Sequence, residues 1–212
     1  MTAPPPLERP AFAASGGSGV SLVWLPLGAG QPVVQFSGRC YEQLQAWRDR
    51  RTPRELYHAA LEVTTPEVRY TIELAPVPDR FGHIRGVVGE GPVGSRVLGR
   101  MRWFRYELRC WPGGQIPDRD LAVASPIEVT SDPAGTRRLL ELLPTAPALV
   151  WGRDEHRLGE MWNSNSVVAW LLAVSGLRPH AIRLPLHGRA PGWDAGLRLA
   201  ARAGRPHAGA AG

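Results

Sequence analysis

The chain has 212 residues, 43% of them hydrophobic, which is enough for one compact domain with a proper core and too few for a second of useful size. Its net charge of +6 comes from 25 arginines and no lysine, set against 19 acidic residues. The arginines are scattered and interleaved with Asp and Glu, so a nucleic-acid-binding face is not expected. With the Ala, Gly and Pro richness, this bias reads as codon usage from a GC-rich bacterial genome. No secretory signal and no run of roughly 18 apolar residues is found, which excludes a membrane-spanning helix and makes the cytoplasm the expected compartment.

Met1 to Gly19, with Pro4, Pro5, Pro6 and Pro10 followed by an Ala/Gly/Ser run, is predicted to be disordered. A single α+β domain is predicted over 20–203 and a disordered tail over 204–212. Val20 to Leu27 alternates and pairs in prediction with Pro32 to Phe36 across a Gly-rich turn. Arg39 to Arg50 reads as a helix ending before Pro53. Tyr57 to Val63 and Val68 to Leu74 both alternate, with Thr64-Thr65-Pro66-Glu67 between them, so a hairpin is expected. Pairing Val63 with Val68 would set Glu62 opposite Arg69 and His58 opposite Glu73, close enough for a carboxylate to orient an imidazole.

A Gly-rich connection is expected from Gly82 to Gly99, then strands over Arg102 to Trp111 and Ile127 to Thr130. Asp132 and Pro133 predict the cap and first position of a helix reaching about Leu143. A second helix is expected from Ser164 to Ser175, stopped by Gly176. Its Val167, Val168, Leu171, Leu172 and Val174 are too many for a solvent-facing helix, so it should lie at the centre of the fold. A short helix is expected near Trp193 to Arg202.

Met161-Trp162-Asn163-Ser164-Asn165-Ser166 puts hydroxyls and amides where that central helix starts, a position whose outward N–H groups and positive dipole end favour developing negative charge. A nucleophile there would have an oxyanion site beside it. These parts resemble the circularly permuted papain-like fold, whose members include lecithin-retinol-acyltransferase-like enzymes and permuted desumoylating peptidases. The family's late motif is Asn-Cys-polar-X-Phe or Asn-Cys-Glu-His-Phe, and here Asn163-Ser164-Asn165-Ser166-Val167 stands. Its early motif is a strand histidine followed one strand on by a polar residue before Leu-Ala-Pro, and here His58 and Ile72-Glu73-Leu74-Ala75-Pro76 stand.

The resemblance spans Leu56 to Gly176 and implies an antiparallel sheet packed on the central helix. It also implies hydrolysis or transfer at an amide or ester carbonyl of an acyl, peptide or amide substrate. Two departures carry chemistry: serine replaces the family's cysteine, and glutamate stands where many members have a second histidine. A serine hydroxyl needs a positioned general base. The implied roles are therefore Ser164 as nucleophile, His58 as base and Glu73 as the group fixing its tautomer. Backbone N–H groups at Ser164 and Asn165 would hold the oxyanion, with Asn163 and Asn165 in support.

The same residues admit a reading without catalysis. Asn163 or Ser164 could simply cap the helix, His58 and Glu73 could be a satisfied buried pair, and the cleft could serve recognition in an inactive papain-like binding module. Gly89-Glu90-Gly91-Pro92-Val93-Gly94 matches GxGxxG but lacks the βαβ context of a nucleotide site, since Glu90 repels a pyrophosphate and Pro92 removes a donor; a flexible loop is expected. Cys110 is read as buried in a strand on the face of Phe104, Tyr106 and Leu108. The histidines, among them His83, His156, His180 and His187, lack metal-ligand spacing. Neither a cofactor nor a metal is expected, and the eight tryptophans are read as core and rim residues.

Overall fold

A computed structural model describes residues 17–27, 42–43, 45–77, 86–116 and 118–204. Helices and an antiparallel sheet share the fold, an α+β arrangement. The strands are β1 (Gly19–Pro26), β2 (Glu55–Thr64), β3 (Arg69–Val77), β4 (Val87–Pro92), β5 (Arg105–Pro112), β6 (Val123–Thr130) and β7 (Gly188–Arg189). The helices are α1 (Pro133–Leu142), α2 (Ser164–Val174) and α3 (Trp193–Ala203). The sheet runs β4-β5-β3-β2-β1-β6 with every neighbour antiparallel, and two-residue β7 joins the start of β2 in parallel.

Alternation sorts the side chains into two clusters, because successive residues of a strand face opposite sides. Leu22, Trp24, Tyr57, Ala59, Leu61, Val63, Ile72 and Leu74 face the main core, where α2 lies. A smaller cluster of Val23, Leu25, Ala60 and Ile116 covers the other face. Val167, Val168, Leu171 and Leu172 of α2 are all 2% exposed or less. Each contributes about 1.5–3 kcal/mol by leaving water, which is why a helix this apolar belongs in the middle of the fold.

The cap predicted for α1 forms: the Asp132 carboxylate accepts from the N–H groups of Ala134 and Gly135 at 3.2 and 2.8 Å. The second hairpin forms as well, but two residues out of the expected register. Leu61 pairs with Ile72 and Thr64 with Arg69. Thr65 sets this register, because its N–H and hydroxyl both donate to the Val68 carbonyl and its hydroxyl accepts from the Val68 N–H, closing 65–68 as the loop. A two-residue slip preserves which face each side chain occupies. The Glu62–Arg69 ion pair therefore survives as a diagonal contact of 2.6 Å.

The glycine-rich stretch read as a flexible loop is instead partly the edge strand β4, which pairs with β5 from Val87 to Pro92. Gly91 belongs in this strand because the Tyr106 ring lies where a Cβ would go, 2.4 Å away. Phe104 stands just before β5 and is 39% exposed, so it does not share the buried face of Tyr106 and Leu108. Cys110 does sit on that face, half-buried, with its thiol pushed up to about 11 by burial. Gly19, expected in the disordered leader, already opens β1 opposite Thr64. The expected strand at 32–36 lies outside the described residues, as do most of the predicted leader and tail; the expected helix over 39–50 is helical at 42–43 and 45–48.

Candidate active site

β2 and β3 pair only from Leu61 and Ile72 onward, so the first half of β2 presents backbone groups on the side β3 has left. The start of α2 occupies that gap. The Asn165 side chain accepts from the Ala59 N–H at 2.8 Å and donates to the Tyr57 carbonyl at 2.9 Å, standing in for a strand on either side of His58. Its amide also donates to the Pro191 carbonyl at 3.0 Å. This side chain joins the strand carrying His58, the helix carrying Ser164 and the segment leading into α3.

Asn163 is the residue that caps α2. Its carboxamide oxygen accepts from the Ser166 N–H at 3.2 Å, the Ser166 hydroxyl accepts from the Asn163 N–H at 3.1 Å, and together they complete a capping box. The Asn163 amide donates to Pro191 at 2.8 Å. Gly192 seats this box: at φ +87° it lies where a Cβ would be 2.5 Å from Asn163 Oδ1 and 2.6 Å from Ser166 Oγ. One turn on, Gly196 lets α3 approach the Ser166 carbonyl, where a Cβ would be 2.1 Å away.

Ser164 is thereby relieved of capping. Its hydroxyl lies 2.6 Å from His58 Nδ1. For that hydroxyl to donate, the imidazole proton must be on Nε2. Protein crowds the ring, and desolvation pulls the His58 pKa down to about 4, so the imidazole is neutral at physiological pH. Ser164 and Asn165 occupy the first two positions of α2, and among the described residues their N–H groups have no acceptor. Two backbone donors at the positive end of a helix thus flank the hydroxyl.

The third expected member is engaged elsewhere. Glu73 is the cross-strand partner of Arg109, with Oε1 3.7 Å from Nη1, and the Arg109 Nε donates to Glu107 at 2.9 Å. The parting of β2 from β3 before His58 accounts for this, since His58 has no partner in the described β2–β3 pairing and burial alone sets its pKa. The side chains of Asn163 and Asn165 act as supports; both Asn165 amide hydrogens go to carbonyls, so its side chain offers no oxyanion donor, while Asn163 gives one amide hydrogen to Pro191.

Sequence reasoning missed the rear wall of the site. Pro191 accepts from both asparagines, and the half-buried Glu160 carboxylate, held above the usual carboxylate range chiefly by desolvation, accepts from the Gly192 N–H at 2.8 Å. The available signal was Ala190-Pro191-Gly192-Trp193, turn chemistry directly before a helix.

Ser164 is 5% exposed, and neither of two surface depressions, about 340 and 790 Å³, includes Ser164 or His58. Among the described residues no group of three His, Cys, Asp or Glu side chains gathers as a metal site would require, and no helix is long and apolar enough to cross a membrane. The chain matches no protein-family model, no curated protein and no solved structure.

Proposed function

We propose that Ser164 and His58 form a nucleophilic dyad for hydrolysis or transfer at an ester or amide carbonyl, on a fold of the permuted papain-like kind. The observation that carries this reading is the 2.6 Å contact between Ser164 Oγ and His58 Nδ1 at a helix start already capped by Asn163. In the first step the Ser164 oxygen attacks the carbonyl carbon while its proton moves to His58 Nδ1. The N–H groups of Ser164 and Asn165 hold the oxyanion. His58 then returns the proton to the departing oxygen or nitrogen, leaving an acyl-serine, and water or an acceptor alcohol or amine reverses the sequence. The substrate class is an acyl, peptide or amide compound encountered in the cytoplasm.

A second reading is favoured by the commitment of Glu73 to Arg109 and by the near-closure over Ser164: a binding module in which the serine–histidine contact only locks helix to sheet. The two readings part under a fluorophosphonate probe. The dyad requires labelling of the wild type that disappears in both Ser164→Ala and His58→Ala. It also requires a labelling rate that rises with pH around 4 and is level from about pH 5 to 8, because His58 is already neutral there. An inert, well-folded wild type would sink the dyad and leave the module.

A further inference from the structure

The twelve residues joining β4 to β5 form an ordered ridge. Its base is closed by the Val93 N–H donating to the Phe104 carbonyl at 2.8 Å. Inside it, the N–H groups of Gly99, Met101 and Phe104 donate to the carbonyls of Ser95, Leu98 and Met101, while Leu98 N–H donates to the Ser95 hydroxyl. Gly99 packs on Pro92, where a Cβ would be 2.3 Å from the proline Cβ. This framework holds large apolar side chains in water: Val97 is 72% exposed, Met101 49%, Trp103 76%, and Leu98 and Phe104 are exposed too.

Arginines alternate with them. Arg96 to Arg105 contains four arginines and no acid. Arg96 is bonded to Glu155 and Arg105 to Glu90 at the base of the ridge. Among the described residues Arg100 and Arg102, both exposed, form no ion pair, and exposed Arg153 donates to the Gly94 carbonyl beside them. The ridge lines neither of the two depressions.

We infer that this ridge, Arg96 to Phe104, docks the protein onto an anionic lipid surface, with Trp103, Met101, Phe104, Val97 and Leu98 entering the headgroup layer and Arg100 and Arg102 meeting lipid phosphates. Tryptophan and phenylalanine partition to the membrane–water interface, and arginines near an anionic leaflet add attraction residue by residue. A patch of one charge sign disfavours a two-fold contact with a second copy, where like charges would meet. A nucleic-acid backbone would satisfy the arginines but leave Val97, Leu98 and Met101 facing phosphate and water.

The ridge is tied to the serine through backbone. The Trp151 N–H donates to Pro92 and its carbonyl accepts from Gly94, while Trp162 N–H donates to Arg153 and its carbonyl accepts from Gly152. Val93, Trp151 and Trp162 thus form successive parallel bridges, spanning about 10 Å at ordinary strand spacing, and Trp162 is two residues before Ser164. The docking inference stands whether or not Ser164 reacts.

Vesicle flotation tests it with the full chain, using phosphatidylcholine alone or with about a third phosphatidylserine. The wild type should float with the anionic vesicles and hardly with the neutral ones. Arg100→Glu with Arg102→Glu, and separately Met101→Ser with Trp103→Ser, should each weaken binding by roughly tenfold or more. All four side chains are exposed, and unchanged circular dichroism confirms that both variants fold. Absence of flotation by the wild type overturns the inference, as does binding that survives both pairs. It is likewise overturned if the Met101/Trp103 pair abolishes self-association of a protein that ignores vesicles, or if duplex DNA binds and only the arginine pair matters.

Discussion

Two buried polar groupings lie on the same sheet and are built by opposite rules. Around Ser164 and His58 the direct partners are neutral, namely a hydroxyl, an imidazole, two carboxamides and backbone carbonyls, with the Glu160 carboxylate one step back on Gly192. Around Arg109 the partners are ionic, with Glu73, Glu107 and Arg109 all at least nine-tenths buried and the guanidinium 5.5 Å from the centre of the Trp111 ring. The comparison teaches that this fold separates charge from its candidate chemistry. A carboxylate beside His58 would favour the imidazolium and raise its pKa; here Glu73 is spent on Arg109, and desolvation takes the imidazole down.

The largest expected effect breaks the ionic side. Arg109→Met leaves two buried carboxylates without their shared cation, and the loss should be about 3–5 kcal/mol in urea unfolding at neutral pH. A loss well under 1 kcal/mol would mean that the cluster is not a structural keystone.

The next effect sharpens the neutral side. The folded-state pKa of His58, about 4, lies below the usual 6.5, so between those values the unfolded chain binds the extra proton. The contribution is therefore fully present above about pH 6.5 and is lost as the pH drops through the folded value, a change on the order of 3 kcal/mol. Stability curves for the wild type and His58→Gln should converge toward acid pH and separate above it. Parallel curves would refute the assignment.

Smaller effects rank the helix start. Asn165→Ala removes the amide that bridges β2 and should reduce stability by about 1–3 kcal/mol, since it also leaves buried backbone groups unsatisfied. Asn163→Ala should cost about 1 kcal/mol as a lost cap. Ser164→Ala, whose hydroxyl caps nothing, should stay within about 0.5 kcal/mol. Thermal unfolding of the three proteins tests this order, and a reversal of Asn163 and Ser164 would restore the capping explanation for the serine.

Much of this architecture was legible because its signals are local. Alternation in β2 and β3, the Asp132–Pro133 start of α1 and the continuous apolar run of α2 each depend on residues within one element. The convergence of His58 and Ser164 was also anticipated, through the order of motifs along the chain. What failed depended on partners distant in sequence. The Glu73 assignment needed a hairpin register that Thr65 moves by two residues, and an Arg109 that alternation alone could not foresee. β4 was hidden because Gly89, Gly91 and Pro92 look like a loop until Tyr106 is seen lying over Gly91. Tryptophans read alike in sequence, yet Trp24 and Trp162 are sealed while Trp47 and Trp103 stand in water.

The Asn165 carboxamide, which completes the half of β2 left open by β3, also ends the sheet at that point. An unoccupied N–H and C=O pair at a strand edge is a template on which a foreign strand can grow. With Asn165 seated on Tyr57 and Ala59, that template is closed by a side chain that cannot propagate a sheet. A chain that lost this amide would lose fixed geometry at its candidate serine and, at the same place, leave two core-facing backbone groups of β2 without their partner.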